Sequence, residues 1–246
     1  MDTTLYVGLS HQVAMRRNLD ILANNIANMN TTAFKKESAI FQEYLMEMDN
    51  TDTPAAREVA FVQDKALIRD FSEGNMRATG NPLDVAISGK NFFRVRLPDG
   101  SERYTRNGHF HLGDDGTLVT SSNHPVLDSG GQPIAFTPQD TKIDIADDGT
   151  VSTKERGIVA KLGVVTFDDL SKLEKVGESL FKSPTPAQPA TNYTVLQAMI
   201  EDSNVQPIIE ITNLMNIARR YQSVDQVLDQ QQELESKAIN RLSRIG

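Results

Sequence analysis

Three histidines are the first residues that could do chemistry: His109 and His111 stand two apart, so on a strand they share a face, and His124 follows shortly after. Two imidazoles on one face can begin a metal site. A zinc site needs further ligands at characteristic spacing, however, and the chain has no Cys to supply them. A solvated β face is the plainer account, so no metal ligand is assigned. Asp114-Asp115-Gly116 and Asp147-Asp148-Gly149 hint at calcium loops, but the alternating acidic ligands and the closing Glu are missing, and both read as hairpin turns. Asp84, following Pro82, can cap or bridge a turn; a glycan-binding or glycan-acting β domain in the periplasm, using Asp84, His109 or His124, is the alternative of another class. No Gly-x-Ser-x-Gly, phosphate loop or dinucleotide fingerprint occurs. The expectation is a chain with no catalytic residue, no cofactor and no metal.

Composition narrows the partners. A formal charge of −8 over 246 residues argues against nucleic acid, which calls for a basic stripe. The longest basic blocks are Lys35-Lys36 and Arg219-Arg220. Without Cys or Trp, disulfide and thiolate chemistry are excluded, while the redox compartment stays open. No run of about 18 apolar residues appears, so no membrane span is expected. Acidic Asp2 stands where a secretory signal would carry positive charge and no uninterrupted apolar core follows it, so a cleaved signal peptide is not expected. If the chain leaves the cytoplasm, another route carries it.

The elements that must position these residues fall into an α+β pattern: terminal helices that form a coiled-coil assembly domain, and a central antiparallel β domain. Asp2 to about Met29 reads as a helix, with Leu5, Leu9 and Val13 four apart and then Met15, Leu19, Leu22, Ile26 and Met29 at 4,3,4,3. The helix segment is placed at 1–32, ended by its Asn-rich last turns and Asn30-Thr31-Thr32. Residues 33–80 form an extended connector in which Phe34, Ile40, Phe41, Tyr44 and Leu45 suit either a short helix or an extended arm, with a loop from Asp49 to Pro54.

From Leu83 the period becomes two, and turn signals recur at Pro98-Asp99-Gly100, Asn107-Gly108, Asp115-Gly116, Gly130-Gly131 and Asp148-Gly149. An antiparallel β domain is placed at 81–182, a Pro-rich linker and return strand at 183–202, and a C-terminal helix at 203–246. Ser203 and Gln206 read as a capping box, with Pro207 in the first turn. The second seam runs through Leu214, Ile217, Tyr221, Val224 and Leu228 at 3,4,3,4. Gly80, Gly89 and Gly108 are expected at backbone turns of positive φ. Met15, Met29 and Met215, on or beside the seams, are adaptable packing residues.

Burying each seam Leu or Ile is worth about 1.5 to 3 kcal/mol, so Leu5, Leu9, Val13, Leu19, Leu22 and Ile26, and their counterparts on the second helix, must meet something. Two partners remain open on this ground: each other, or neighbouring subunits.

Four motifs decide between them. Asn24-Asn25-Ile26-Ala27-Asn28 followed by Thr32, Phe34 and Lys35 resembles the N-terminal signature of the flagellar rod and hook axial proteins, with Ala33 where that family usually has Gly. Thr79-Gly80-Asn81-Pro82-Leu83-Asp84 with Gly89 and Phe92-Phe93 is similar to its central motif, Asn91 standing where Gly is usual. Tyr104-Thr105-Arg106-Asn107-Gly108 is similar to the segment that follows, and Glu201-Asp202-Ser203-Asn204-Val205, then Glu210, Arg220 and Tyr221, to the C-terminal signature. The resemblance implies an axial subunit that polymerises helically through its terminal helices, with the seam residues at subunit interfaces. It also implies other rod subunits and the flagellar export apparatus as partners, a place in the basal-body rod crossing the periplasm, and export without a cleaved signal. Chain length and the tail beyond Tyr221 fit the proximal rod; a distal-rod or hook-like paralogue is the alternative within the family.

Overall fold

The computed structural model describes residues 2–48 and 57–242; the loop expected from Asp49 to Pro54 lies outside the described residues. The chain forms two compact units, one from the described parts of 1–27, 37–69 and 206–246, the other from 28–36 and 70–205. The segment from 33 to 80 is thus shared between them. None of the described helices is long and apolar enough to cross a membrane.

The first unit holds two helices, α1 (Asp2–Ala27) and α2 (Pro207–Leu242). They pack on each other: Gln12 donates to Asp225, Asn25 to Glu210, and a β-carbon on Gly8 would press on Leu228. Partner numbers fall along α2 as they rise along α1, so the pair is antiparallel. Leu22 is buried, and Leu19, Ile26, Leu214, Ile217, Tyr221, Val224 and Leu228 are half-buried. Leu9 and Val13 are 49% and 62% exposed, while the side chain of Leu5 lies outside the described residues. Steps of four drift by about 40° around a helix, which carries Leu9 and Val13 off the face that buries Ala14, Ile21 and Leu22.

The same unit contains a hairpin in which Glu37–Met48 pairs antiparallel with Arg57–Arg69. Of the two alternatives for this segment, the short helix is not found; the chain is extended, and folds back on itself as a hairpin. Its alternation was hard to read because the register shifts between Ile40, opposite Ala66, and Phe41, opposite Asp64; such a bulge reverses which side chains share a face.

The strands of the second unit pair antiparallel, with a 3-10 turn at Leu170–Lys172. Its largest sheet runs, edge to edge, Glu174–Gly177, Leu180–Lys182, Glu102–Thr105, Phe92–Arg96, Val164–Thr166 and Gln188–Pro189. The Pro-rich stretch therefore ends as an edge strand, where Pro costs no ladder bond. Further along, Val195–Gln197 pairs with Val85–Ile87 and Met199–Glu201 with Met76–Ala78. One core gathers Val85, Ile87, Phe93, Val95, Phe110 and Val126; a second, largely aromatic one gathers Phe71, Phe92, Phe167 and Phe181. Phe92 and Phe93 point to opposite faces of their strand, so one dipeptide feeds both cores.

Two expectations need correction. Gly80 and Gly89 have φ of +76° and +83°, as a turn requires, but Gly108 does not have positive φ. A β-carbon there would stand 1.6 Å from the Val85 carbonyl oxygen, so close approach of two backbones demands that glycine. Nor do Ser203 and Gln206 form a capping box: α2 starts at Pro207, and the Ser203 hydroxyl accepts from the Val205 N–H at 3.2 Å. It closes a small turn ahead of the helix.

Candidate functional site

Charged side chains buried in a protein must be paired, because an isolated ion loses its hydration with nothing in return. Glu201 is 1% exposed and accepts from Lys35 Nζ at 2.6 Å and Gly74 N–H at 2.8 Å on one oxygen, and from Arg106 Nε at 2.7 Å on the other. The two cations are as buried as the carboxylate. Arg106 gives three further N–H groups to the carbonyls of Ile87, Gly89 and Asn91, and its guanidinium lies over the Phe92 ring. Lys35 donates also to the Ser72 carbonyl at 2.6 Å. Burial pushes the Lys35 ammonium below its ordinary range, Glu201 opposes that shift, and Arg106 adds to it.

Backbone bonds extend the cluster. The Ala33 N–H donates to the Glu201 carbonyl at 2.7 Å and Lys36 N–H to Asn204 Oδ1 at 2.8 Å, while the Asn204 amide reaches Asp70 O and Ser72 O. Three stretches, 33–36, 70–75 and 201–205, are thereby clasped together with Arg106. Three of the four motifs meet at this clasp, and the central one contributes its Ile87, Gly89 and Asn91 carbonyls. Ala33 adopts φ +57°, a left-handed conformation for which glycine is the natural choice.

The first unit has a smaller buried polar site of its own. Asn25 is fully buried; its side chain donates to the Glu37 carbonyl at 2.8 Å and accepts from the Glu37 N–H at 3.0 Å, copying a strand partner. The same amide reaches Glu210, also fully buried, at 3.2 Å. Arg69 pairs with the Glu37 carboxylate at 2.8 Å.

Other motif residues brace turns. Asn24 is exposed, and Asn28 accepts from the Thr31 N–H through its carbonyl. Around Pro82 and the half-buried Leu83, Asn81 bonds the Asp84 carboxylate at 3.0 Å. Tyr104 packs edge-on against Phe167, burial pushing its hydroxyl up, and Asn107 accepts from the His109 N–H. Val205 is buried beside Ser203 and Asn204.

The candidate chemical residues do not converge. His109 Nδ1 meets Asp84 at 2.7 Å, His111 meets Asn123, and His124 meets Glu178. The calcium-like segments are turns: Asp115 accepts from the Thr117 N–H and Asp148 from the Thr150 N–H. Among the described residues no His, Cys, Asp and Glu cluster of three or more could hold a metal ion. Lys35, Glu201 and Glu210 stand in the motifs but carried no assigned role in the sequence reading; the signal was the presence of oppositely charged residues in segments otherwise built for turns. Saturated with donors, Glu201 is suited to holding rather than reacting.

Comparisons with known proteins agree with the motifs. Residues 5–35 match the family described as flagella basal body rod protein, residues 86–153 the flagellar hook protein FlgE/F/G D1 domain, and residues 196–242 the flagellar basal body rod FlgEFG protein C-terminal domain. The flagellar basal-body rod protein FlgF of Caulobacter vibrioides is 43% identical over the full length of both chains. FlgF of Mesorhizobium japonicum is 30% identical over 98% of each chain, and FlgG of Bacillus subtilis is 29% identical over 96% of this chain and 98% of its own.

Proposed function

The chain belongs to the flagellar basal-body rod protein family, and on that premise we propose that it is a structural subunit of the proximal rod, part of the drive shaft that carries torque from motor to hook. The observation that carries this reading is 43% identity to a FlgF protein from end to end. It is no enzyme: the Asp84–His109 pair ties two segments together across an antiparallel bridge, and purified protein is expected to leave peptidoglycan intact. The FlgG relatives favour one second reading, a paralogous distal-rod position.

Assembly proceeds helically through the terminal helices against other rod subunits. This is supported by apolar surface that the α1–α2 pairing leaves open. Ile208, Ile211 and Met215 are 82%, 43% and 46% exposed at 3,4 spacing, and Leu9 and Val13 are open on α1. Exposed apolar residues recurring along a helix face mark an interaction site, and a heterologous contact that does not close builds a helix. The subunit reaches the periplasmic rod through the flagellar export apparatus.

Charging Leu22 or Leu228 would break the intrachain helix pair as well as any assembly contact. Met215→Asp isolates the second effect. It is expected to abolish swimming in soft agar and incorporation into purified basal bodies while leaving the circular dichroism of the monomer unchanged; normal motility would refute the interface.

A further inference from the structure

The chain passes between its two units at 27/28, 36/37, 69/70 and 205/206, and the Glu201 clasp joins the stretches of the β unit that adjoin these crossings. Residues 28–36 are the root of α1, and 201–205 the root of α2. One carboxylate holds both. Its first oxygen takes Lys35 and Gly74, its second takes Arg106, and the carbonyl of the same residue takes Ala33 N–H. If Lys35 leaves, Glu201 keeps Arg106 as a matched pair; if Glu201 leaves, two cations remain buried without their counter-charge.

We propose that Glu201 is a latch that opens and closes the roots of both terminal helices as a single event, separate from unfolding of the β cores. The α2 root carries the carboxylate and the carbonyl that hold Lys35 and Ala33, so its release leaves two buried cations unmatched and unseats the α1 root with it. The clasp borders the cores at the Ile87 carbonyl and the Phe92 ring, but Val95 and Val126 are fully buried away from it, and their strands remain folded when it opens.

Hydrogen exchange by mass spectrometry on the full chain tests this. In the wild type, peptides covering 28–36, 70–76 and 199–206 exchange in one correlated step, while the strand Phe92–Arg96 stays protected. Glu201→Gln speeds all three root peptides by about ten- to hundredfold, the loss expected when charge-assisted bonds are removed, and leaves that strand within about twofold. Lys35→Met leaves Glu201 and Arg106 matched and fills the slot with an apolar chain, so it folds even where Glu201→Gln does not. Expected from it is uncoupling: 28–36 exchanges about tenfold faster while 199–206 keeps its wild-type rate. The proposal is overturned if 28–36 opens independently of 199–206 in the wild type, or if Lys35→Met leaves 28–36 as protected as before.

Discussion

Gly108 and Val85 meet backbone to backbone: the Val85 N–H donates to the Gly108 carbonyl at 2.9 Å, and the Val85 carbonyl occupies the space a side chain on Gly108 would need. Gly108→Ala is therefore expected to cost more than about 4 kcal/mol, the range reached when a substitution forces buried backbone apart. Urea unfolding of the variant would show it; a midpoint near that of the wild type would mean the two segments can separate freely.

Ala33 holds φ +57° while nearly fully buried. A left-handed conformation costs a non-glycine residue roughly 1 to 2 kcal/mol, partly offset by the greater freedom of glycine in the unfolded chain. Ala33→Gly is expected to raise stability by up to about 1 kcal/mol. A fall in the thermal midpoint would show that the methyl group contributes more by packing than the backbone loses by strain.

Asn25 serves both backbone groups of Glu37 from within the first unit. Asn25→Ala would remove that match and the bond to Glu210, at a cost of about 3 kcal/mol, because buried polar groups would lose partners together. Proteolysis should then cut α1 and the hairpin before the β unit; unchanged cleavage order would contradict it.

Acid should loosen the β unit through its turns. The Arg156 guanidinium holds Asp140 well below the usual carboxylate range, and the Thr150 N–H and hydroxyl, with Lys161, hold Asp148 at about 2 instead of 3.8. A carboxylate whose folded pKa is depressed contributes stability that is complete above its unfolded value and lost as pH falls through the folded one. The urea midpoint is expected to drop as pH falls from 3.8 toward about 2, and Asp148→Asn, which cannot titrate, should flatten the drop. Identical acid profiles would remove Asp148 as a source.

How much could be read before the structure differs from residue to residue. Helix periodicity survives without knowledge of partners, so both helices and the half-buried run Leu214 to Leu228 were legible. The asparagine and glycine motifs were visible too, and Asn25 and Arg106 proved to be buried centres. The hairpin was obscured by the register shift at Ile40/Phe41. The clasp was hidden for another reason: Lys35 and Glu201 lie 166 residues apart, and no local pattern reports a pairing made by tertiary closure. The Gly108 requirement likewise depends on which backbone comes opposite.

Among the described residues, the ladder partners of Met76–Ala78 and Val85–Ile87 are Met199–Glu201 and Val195–Gln197. Translation therefore delivers the first strand of each ladder long before the second, and a nascent chain on the ribosome exposes unzipped edges in the interval. Cells making this protein must shield that waiting intermediate or finish it quickly.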